Sequence, residues 1–248
     1  MKFLTAVATR DSFTLLATGR RMTDKNKSNV KTEGLTEDLV DCSAFLGKGS
    51  HIMTTVHDIM QVGVGMPDRD RFENFARDML GFPASRSPDG KVTYVRPDRY
   101  QHRIAACTAP EPVLRYIGFD VGSSQELAEW ETKLTAQGIH WRHGTPEECV
   151  ERHVGGFIEL KDPDGHPLAL SYGFEVDKEP VPYTRELRVL GLGHVLLTVA
   201  DTQRTHDFYT GVLGFRLSDW VYVDDNIRLC FLRCNERHHS MAFAPCMV

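Results

Sequence analysis

His194-Val195-Leu196-Leu197-Thr198, followed by Ala200-Asp201, Phe208 and Val212-Leu213-Gly214-Phe215, has an earlier version in the same chain. That version is Gln61-Val62-Gly63-Val64-Gly65, then Pro67-Asp68, Phe75 and Met79-Leu80-Gly81-Phe82, and it superposes without a gap, Gln61 standing against His194. Each copy starts with a short β-type run. An Asp follows in position to cap a helix. The helix carries apolar residues at helical spacing. A Leu-Gly-Phe turn ends it, where Gly suits the left-handed position after a helix. The match then resumes with Tyr94 against Phe231, and Gln101-His102-Arg103-Ile104-Ala105 against His238-His239-Ser240-Met241-Ala242. Two matched blocks in the same order mark an internal repeat.

The first copy continues. Leu114 to Val121 reads as a strand. Ser124 to Gln137 reads as an amphipathic helix, with Leu127, Trp130 and Leu134 on one face and Gly138 as its stop. Residues 156–160 and 168–172 read as strands around the turn Asp162-Pro163-Asp164-Gly165. The first module therefore covers residues 56–174, a linker follows over 175–188, and a second module, half as long, covers 189–248. Residues 1–52 are expected to be a flexible extension, because 20–50 is polar and without period. Met53 offers an alternative start. Arg10 and Asp11 interrupt the first apolar run too early for an export signal.

Composition narrows the function classes. A hydrophobic fraction of 41% excludes a wholly disordered chain, and a formal charge of −5 argues against a nucleic-acid surface. No uninterrupted apolar window is long enough for a membrane helix. The six cysteines form no CxxC pair, which suggests reduced thiols and a cytoplasmic setting. Arg96, Arg99 and Arg103 are expected on a solvated strand face. Gly63 and Gly65 lack the rest of a dinucleotide fingerprint.

The phrases Gly191-Leu192-Gly193-His194, Asp207-Phe208-Tyr209-Thr210-Gly211-Val212-Leu213-Gly214-Phe215 and Asn235-Glu236-Arg237-His238-His239-Ser240-Met241-Ala242-Phe243 resemble the type I extradiol ring-cleavage dioxygenases, such as the 2,3-dihydroxybiphenyl dioxygenases. Asp162-Pro163-Asp164-Gly165-His166 fits the end of that family's first module. The resemblance implies an α+β chain of tandem βαβββ modules, the vicinal oxygen chelate fold, with the second module incomplete. It implies cleavage of a catechol-type ring with O2 at Fe(II), Mn(II) being the other candidate ion. By this match His194 is the first metal ligand and His239 an acid/base near bound oxygen. Leu196, Phe231 and Ala242 fall at positions lining the catechol pocket. The remaining His and Glu ligands are expected beyond Val248, and a homo-oligomer is expected if the second module is completed.

The first module is an internal control. Gln61 stands where His194 would be, and Tyr116 and Ser171 stand at the later ligand positions, so that module is expected to be structural. His102, the counterpart of His239, is expected to be structural too. His238 is expected on the opposite face of a strand from His239. A non-catalytic small-molecule-binding protein of the glyoxalase/bleomycin-resistance fold is the alternative function.

Overall fold

The computed structural model describes residues 54–186, 189–223 and 228–246, together with the backbone of residues 2–9 and 12–19. The polar stretch 20–50, Cys42 and Met53 lie outside the described residues.

The repeat seen in the sequence is a repeat of strand pairing. The chain begins with β1 (Lys2–Thr9) and β2 (Ser12–Gly19). The first repeat opens with β3 (Asp58–Met66), α1 (Arg69–Asn74, continued by a π-helical turn Phe75–Met79), β4 (Ala84–Arg86), β5 (Val92–Val95) and β6 (Ile104–Thr108). It goes on with β7 (Val113–Asp120), α2 (Ser124–Ala136), β8 (Trp141–His143), α3 (Pro146–Arg152), β9 (Gly156–Lys161) and β10 (Pro167–Tyr172). The second repeat contains β11 (Val189–Val199), α4 (Thr202–Gly211), β12 (Arg216–Tyr222), β13 (Arg228–Arg233) and β14 (Met241–Pro245). One sheet has eight strands in the order β4-β5-β6-β3-β7-β10-β9-β8, and the other has six in the order β12-β13-β14-β11-β1-β2.

The two sheets share a register. Val62 pairs with Ile104 in the first and Val195 with Met241 in the second, both parallel. Tyr94 pairs with Ala105 and Phe231 with Ala242, both antiparallel. These are the pairs that the two matched sequence blocks bring together. The caps repeat as well. Asp68 accepts from the Arg71 N–H, and Asp201 accepts from the N–H groups of Gln203 and Arg204. Gly81 and Gly214 both take φ of +75°, a conformation open to Gly at low cost.

The repeats bury one common apolar core. Trp130 and Leu134 of α2 enter it from the first repeat, Tyr209 and Leu213 from the second, all fully buried. The Phe119 and Phe215 rings meet edge to face across the boundary, 5.7 Å between centroids. A full burial of each such side chain stabilises by about 1.5–3 kcal/mol. Residues 175–186 run along the first repeat. Asp177 pairs with Arg96 at 2.6 Å, and the Gln101 N–H donates to the Glu175 carbonyl.

Three features depart from the sequence expectations. The expected flexible extension begins instead with a hairpin, in which Thr9 pairs with Ser12 and Lys2 with Gly19. Its two strands carry Phe, Leu, Val and Thr, unlike the polar stretch 20–50, and β1 pairs with β11. Arg103 is not on a solvated face. It is 4% exposed, bonded to the Asp98 carboxylate at 2.6 Å and to the Met60 carbonyl at 3.0 Å. The short helix α3 and strand β8 were not expected. Thr145 and Glu148 form a capping box with Pro146 at the first helical position, a start signal that was present in the sequence.

At Gly63 the first sheet leaves no room for a side chain. A Cβ there would lie 2.2 Å from Cε1 of Tyr116, whose ring is held from another side by the Arg152 guanidinium at 4.0 Å. A Gly63→Ala variant is expected to lose about 1–3 kcal/mol through this overlap. The urea midpoint checks it, and an unchanged midpoint refutes the close contact.

Candidate active site

Alternation along β11 decides which side chains face the candidate site. Val195, Leu197 and Val199 are buried in the common core, while His194, Leu196 and Thr198 are half-buried on the other face. β13 and β14 divide in the same way. Cys230, Leu232, Met241 and Phe243 enter the core, leaving Phe231 and Ala242 on the face shared with His194. Leu196 pairs with Ala242, and Ala242 pairs with Phe231. The three expected pocket residues therefore form one cross-strand row. Ala242, in the middle, is small, so the row is a shallow apolar floor between two larger walls.

His239 stands above this floor, in the turn ahead of β14. Its ring lies 4.5 Å from that of His194 and 5.0 Å from that of Phe231, centroid to centroid. The Val195 N–H donates to the Ser240 carbonyl at 3.0 Å, which ties the end of the turn to β11 beside His194. His238 departs from expectation. It is exposed and lies in the turn, not on a strand, and its Nδ1 is 2.9 Å from Nδ1 of His239. A turn does not alternate its faces, so the two neighbours can meet.

Burial pushes His194 down to about 4, with the neighbouring His239 as the next cause. Burial also pushes His239 below its ordinary value, followed by His238 and Arg237. Both rings are held neutral near pH 7. A neutral imidazole has the lone pair that metal binding or proton acceptance requires.

Arg237 is a site residue that sequence reasoning missed. Its Nη1 donates to the Leu192 carbonyl at 2.9 Å, and its Nη2 pairs with Asp58 of β3. Asn235 Nδ2 donates to the same carboxylate at 3.0 Å. The turn that carries His239 is thus anchored to both sheets. Burial pushes Asp58 upward, and Arg237 opposes that shift first. Arg237 stands inside the quoted Arg-His-His motif, but its partner lies in the other repeat and no local pattern points to it.

The first repeat uses the equivalent face differently. Gln61, the counterpart of His194, donates from Nε2 to the Arg152 carbonyl at 2.9 Å. His102, the counterpart of His239, is fully buried between Tyr94 and His153, at 4.9 and 5.5 Å. Tyr116 and Ser171 are buried as well. The end of α3, with Arg152 and His153, fills this face.

Among the described residues no three His, Cys, Asp or Glu side chains gather in a metal-binding group. A facial site on Fe(II) needs two His and a carboxylate. His194 with His239 beside it does not make up that set, so the described residues alone do not fit the metal.

Two sheets built from repeated βαβββ units in a shared register define the vicinal oxygen chelate class. The profile of the Glyoxalase/Bleomycin resistance protein/Dioxygenase superfamily matches residues 191–246. An iron-dependent extradiol dioxygenase of Rhodococcus jostii is 28% identical over 77% of this chain and 68% of its own length. A biphenyl-2,3-diol 1,2-dioxygenase of Sphingomonas paucimobilis is 31% identical over 77% of this chain and 67% of its own. The crystal structure of BphC, a halotolerant catechol dioxygenase, superposes with a TM-score of 0.72 at 28% identity, over 77% of this chain and 66% of that one. This chain belongs to the extradiol dioxygenase family, and it spans about two thirds of the length of these relatives.

Proposed function

We propose that this chain takes part in extradiol cleavage of a catechol-type ring with O2, at Fe(II) or, as the alternative ion, Mn(II). The observation that carries this reading is the apolar row Leu196–Ala242–Phe231 beneath two neutral imidazoles. The row receives the ring and Phe231 bounds it on one side. His194 offers a lone pair to the metal. Nδ1 of His239 is engaged by His238, so proton exchange with a substrate hydroxyl falls to Nε2. The reading needs a second His and a carboxylate from outside the described residues. We also place the protein in the cytoplasm. Its cysteines at 107, 149, 230, 234 and 246 are free, as in a reducing compartment, and no helix among the described residues is long and apolar enough to cross a membrane.

The test is oxygen uptake on 2,3-dihydroxybiphenyl and 3-methylcatechol by the full chain, supplied anaerobically with Fe(II). Little or no uptake is expected from this chain alone. Iron-dependent uptake is expected from a form completed by the second His and the carboxylate, and loss of that uptake is expected in His194→Ala. Phe231→Ala should raise KM about tenfold, the equivalent of ~1.4 kcal/mol of lost ring contact. Absence of uptake in the completed form as well, or unchanged uptake there in His194→Ala, rejects the assignment.

A further inference from the structure

The turn between β13 and β14, which carries His239, has a counterpart between β5 and β6. The match that sets His102 against His239 also sets Asp98 against Asn235. Both residues open their turns in the same way. Asp98 Oδ1 accepts from the Tyr100 N–H at 3.0 Å, and Asn235 Oδ1 accepts from the Arg237 N–H at 3.1 Å. An arginine then ties each turn to the first strand of its own repeat. Arg103 Nη1 donates to the Met60 carbonyl of β3 at 3.0 Å, and Arg237 Nη1 to the Leu192 carbonyl of β11 at 2.9 Å.

The two turns differ in the source of the counter-charge. In the first repeat Asp98 itself bonds Arg103, Oδ2 to Nε at 2.6 Å. In the second repeat an amide, Asn235, stands at that place and brings no charge. Asp58 of β3 supplies the carboxylate instead. Its Oδ1 pairs with Arg237 Nη2 and accepts from Asn235 Nδ2 at 3.0 Å. The Ile59 N–H donates to the same oxygen at 2.8 Å, which fixes the carboxylate on its own strand. The loan is not returned. By the same superposition Gly191 is the counterpart of Asp58, and it has no side chain to offer. A Cβ there would already stand 3.4 Å from Arg103 Nη2 and 3.6 Å from Asp98 Oδ2.

His239 therefore lies between two fixings. On one side the Ser240 carbonyl accepts from the Val195 N–H at 3.0 Å, and the Ser240 N–H donates to the Leu232 carbonyl at 2.8 Å. Both bonds stay within the second repeat. On the other side the charge-assisted pair of Arg237 crosses to the first repeat, and bonds of that kind are the stronger ones. We infer that Asp58 is a positioning residue: acting through Arg237 and Asn235, it holds the turn that sets the His239 ring over the row Leu196–Ala242–Phe231. The use of His239 in proton exchange rests on the proposed function; the placement of its ring does not. The first repeat thus supplies one side chain to the arrangement of the site in the second.

The experiment uses the full chain with ring-labelled histidine. The NMR signal of His239 is assigned by its loss in His239→Gln. In the parent, His239 ring protons should show contacts to those of His194 and Phe231, whose ring centroids lie 4.5 and 5.0 Å away. Asp58→Ala should shift the His239 signal and abolish these contacts, leaving the His102 signal in place. Asp164→Ala is the control, because it loses bonds at the same boundary, to the Ala200 N–H and the Thr205 hydroxyl, without touching the turn. It should leave His239 where it is. In a form completed by the second His and the carboxylate, Asp58→Ala should lower kcat about tenfold or more with KM unchanged, the signature of a misplaced group. Intact ring contacts in Asp58→Ala overturn the inference. So does an equal displacement of His239 in Asp164→Ala, or an unaltered kcat in Asp58→Ala. Absence of turnover in the completed parent rejects the catalytic reading, and the ring contacts then decide the placement alone. If Asp58→Ala does not fold, Asp58→Asn, which removes the charge and keeps the shape, decides on the same readouts.

Discussion

Acid will destabilise this protein through its first repeat, and His102 will account for about one proton of the effect. Its ring is fully buried, and neither ring nitrogen has a hydrogen-bond partner. Burial first, then the positive neighbours His153, Arg103 and Arg152, push it down to about 3. In the unfolded chain it should titrate near 6.5. Above that value it is neutral in both states and costs nothing. As the pH falls between 6.5 and about 3, the unfolded state binds a proton that the folded state refuses, so unfolding becomes progressively easier. One group contributes ~1.4 kcal/mol per pH unit in this window, or about 2 kcal/mol by pH 5. His194, pushed down to about 4, adds a second dependence of the same sign. Phenylalanine can keep the ring contacts with Tyr94 and His153 while removing both unpartnered nitrogens. His102→Phe should therefore match or exceed the parent at pH 7, and gain on it steadily as pH is lowered to 5. Urea unfolding at several pH values measures this directly. Parallel stability curves for the two proteins would show that His102 is protonated in the folded state.

The parts of this architecture that were legible in the sequence are those in which a repeated pattern enforces pairing. Val62 and Val195 sit in equivalent places because each must point into the core while its neighbours Gln61 and His194 point out of it. A shift of one residue would reverse every side chain of the strand, so sequence correspondence carries register with it. Leu196, Phe231 and Ala242 fell into one row for the same reason. What stayed hidden depends on distant partners. Lys2–Thr9 is a strand because β11 lies beside it, and its own pattern resembles the start of many chains. Arg237 matters because Asp58, in the other repeat, receives it. Arg103 is buried because Asp98 and the Met60 carbonyl neutralise and bond it, which a run of arginines seen alone does not disclose.

The junction between repeats should fail when Asp162 is removed. This carboxylate is fully buried and accepts from the N–H groups of Asp164 and His166 at 2.9 and 2.8 Å, and its other oxygen is 2.8 Å from Nδ1 of His166. It thereby shapes the turn between β9 and β10. That shape aims Asp164 into the second repeat, where its two oxygens accept from the Ala200 N–H at 2.9 Å and the Thr205 hydroxyl at 3.2 Å. Thr205 is fully buried, and Tyr209, one turn further along α4, reaches Asp162 itself at 3.5 Å. An Asp162→Ala change deletes the acceptor of several hydrogen bonds at once and leaves their donors without partners. Each bond to a charged group is worth about 1.5–3 kcal/mol, with overlap between them, so a total loss of roughly 3–4 kcal/mol is expected. Asp164→Ala keeps the turn and loses only the staple to α4, and it should cost about 1.5–2 kcal/mol. Hydrogen exchange separates the two. Asp164→Ala should speed exchange in α4 alone, whereas Asp162→Ala should speed it in β9, β10 and α4 together. If Asp162→Ala costs no more than Asp164→Ala, the turn is held by its backbone and Asp162 does not shape the junction.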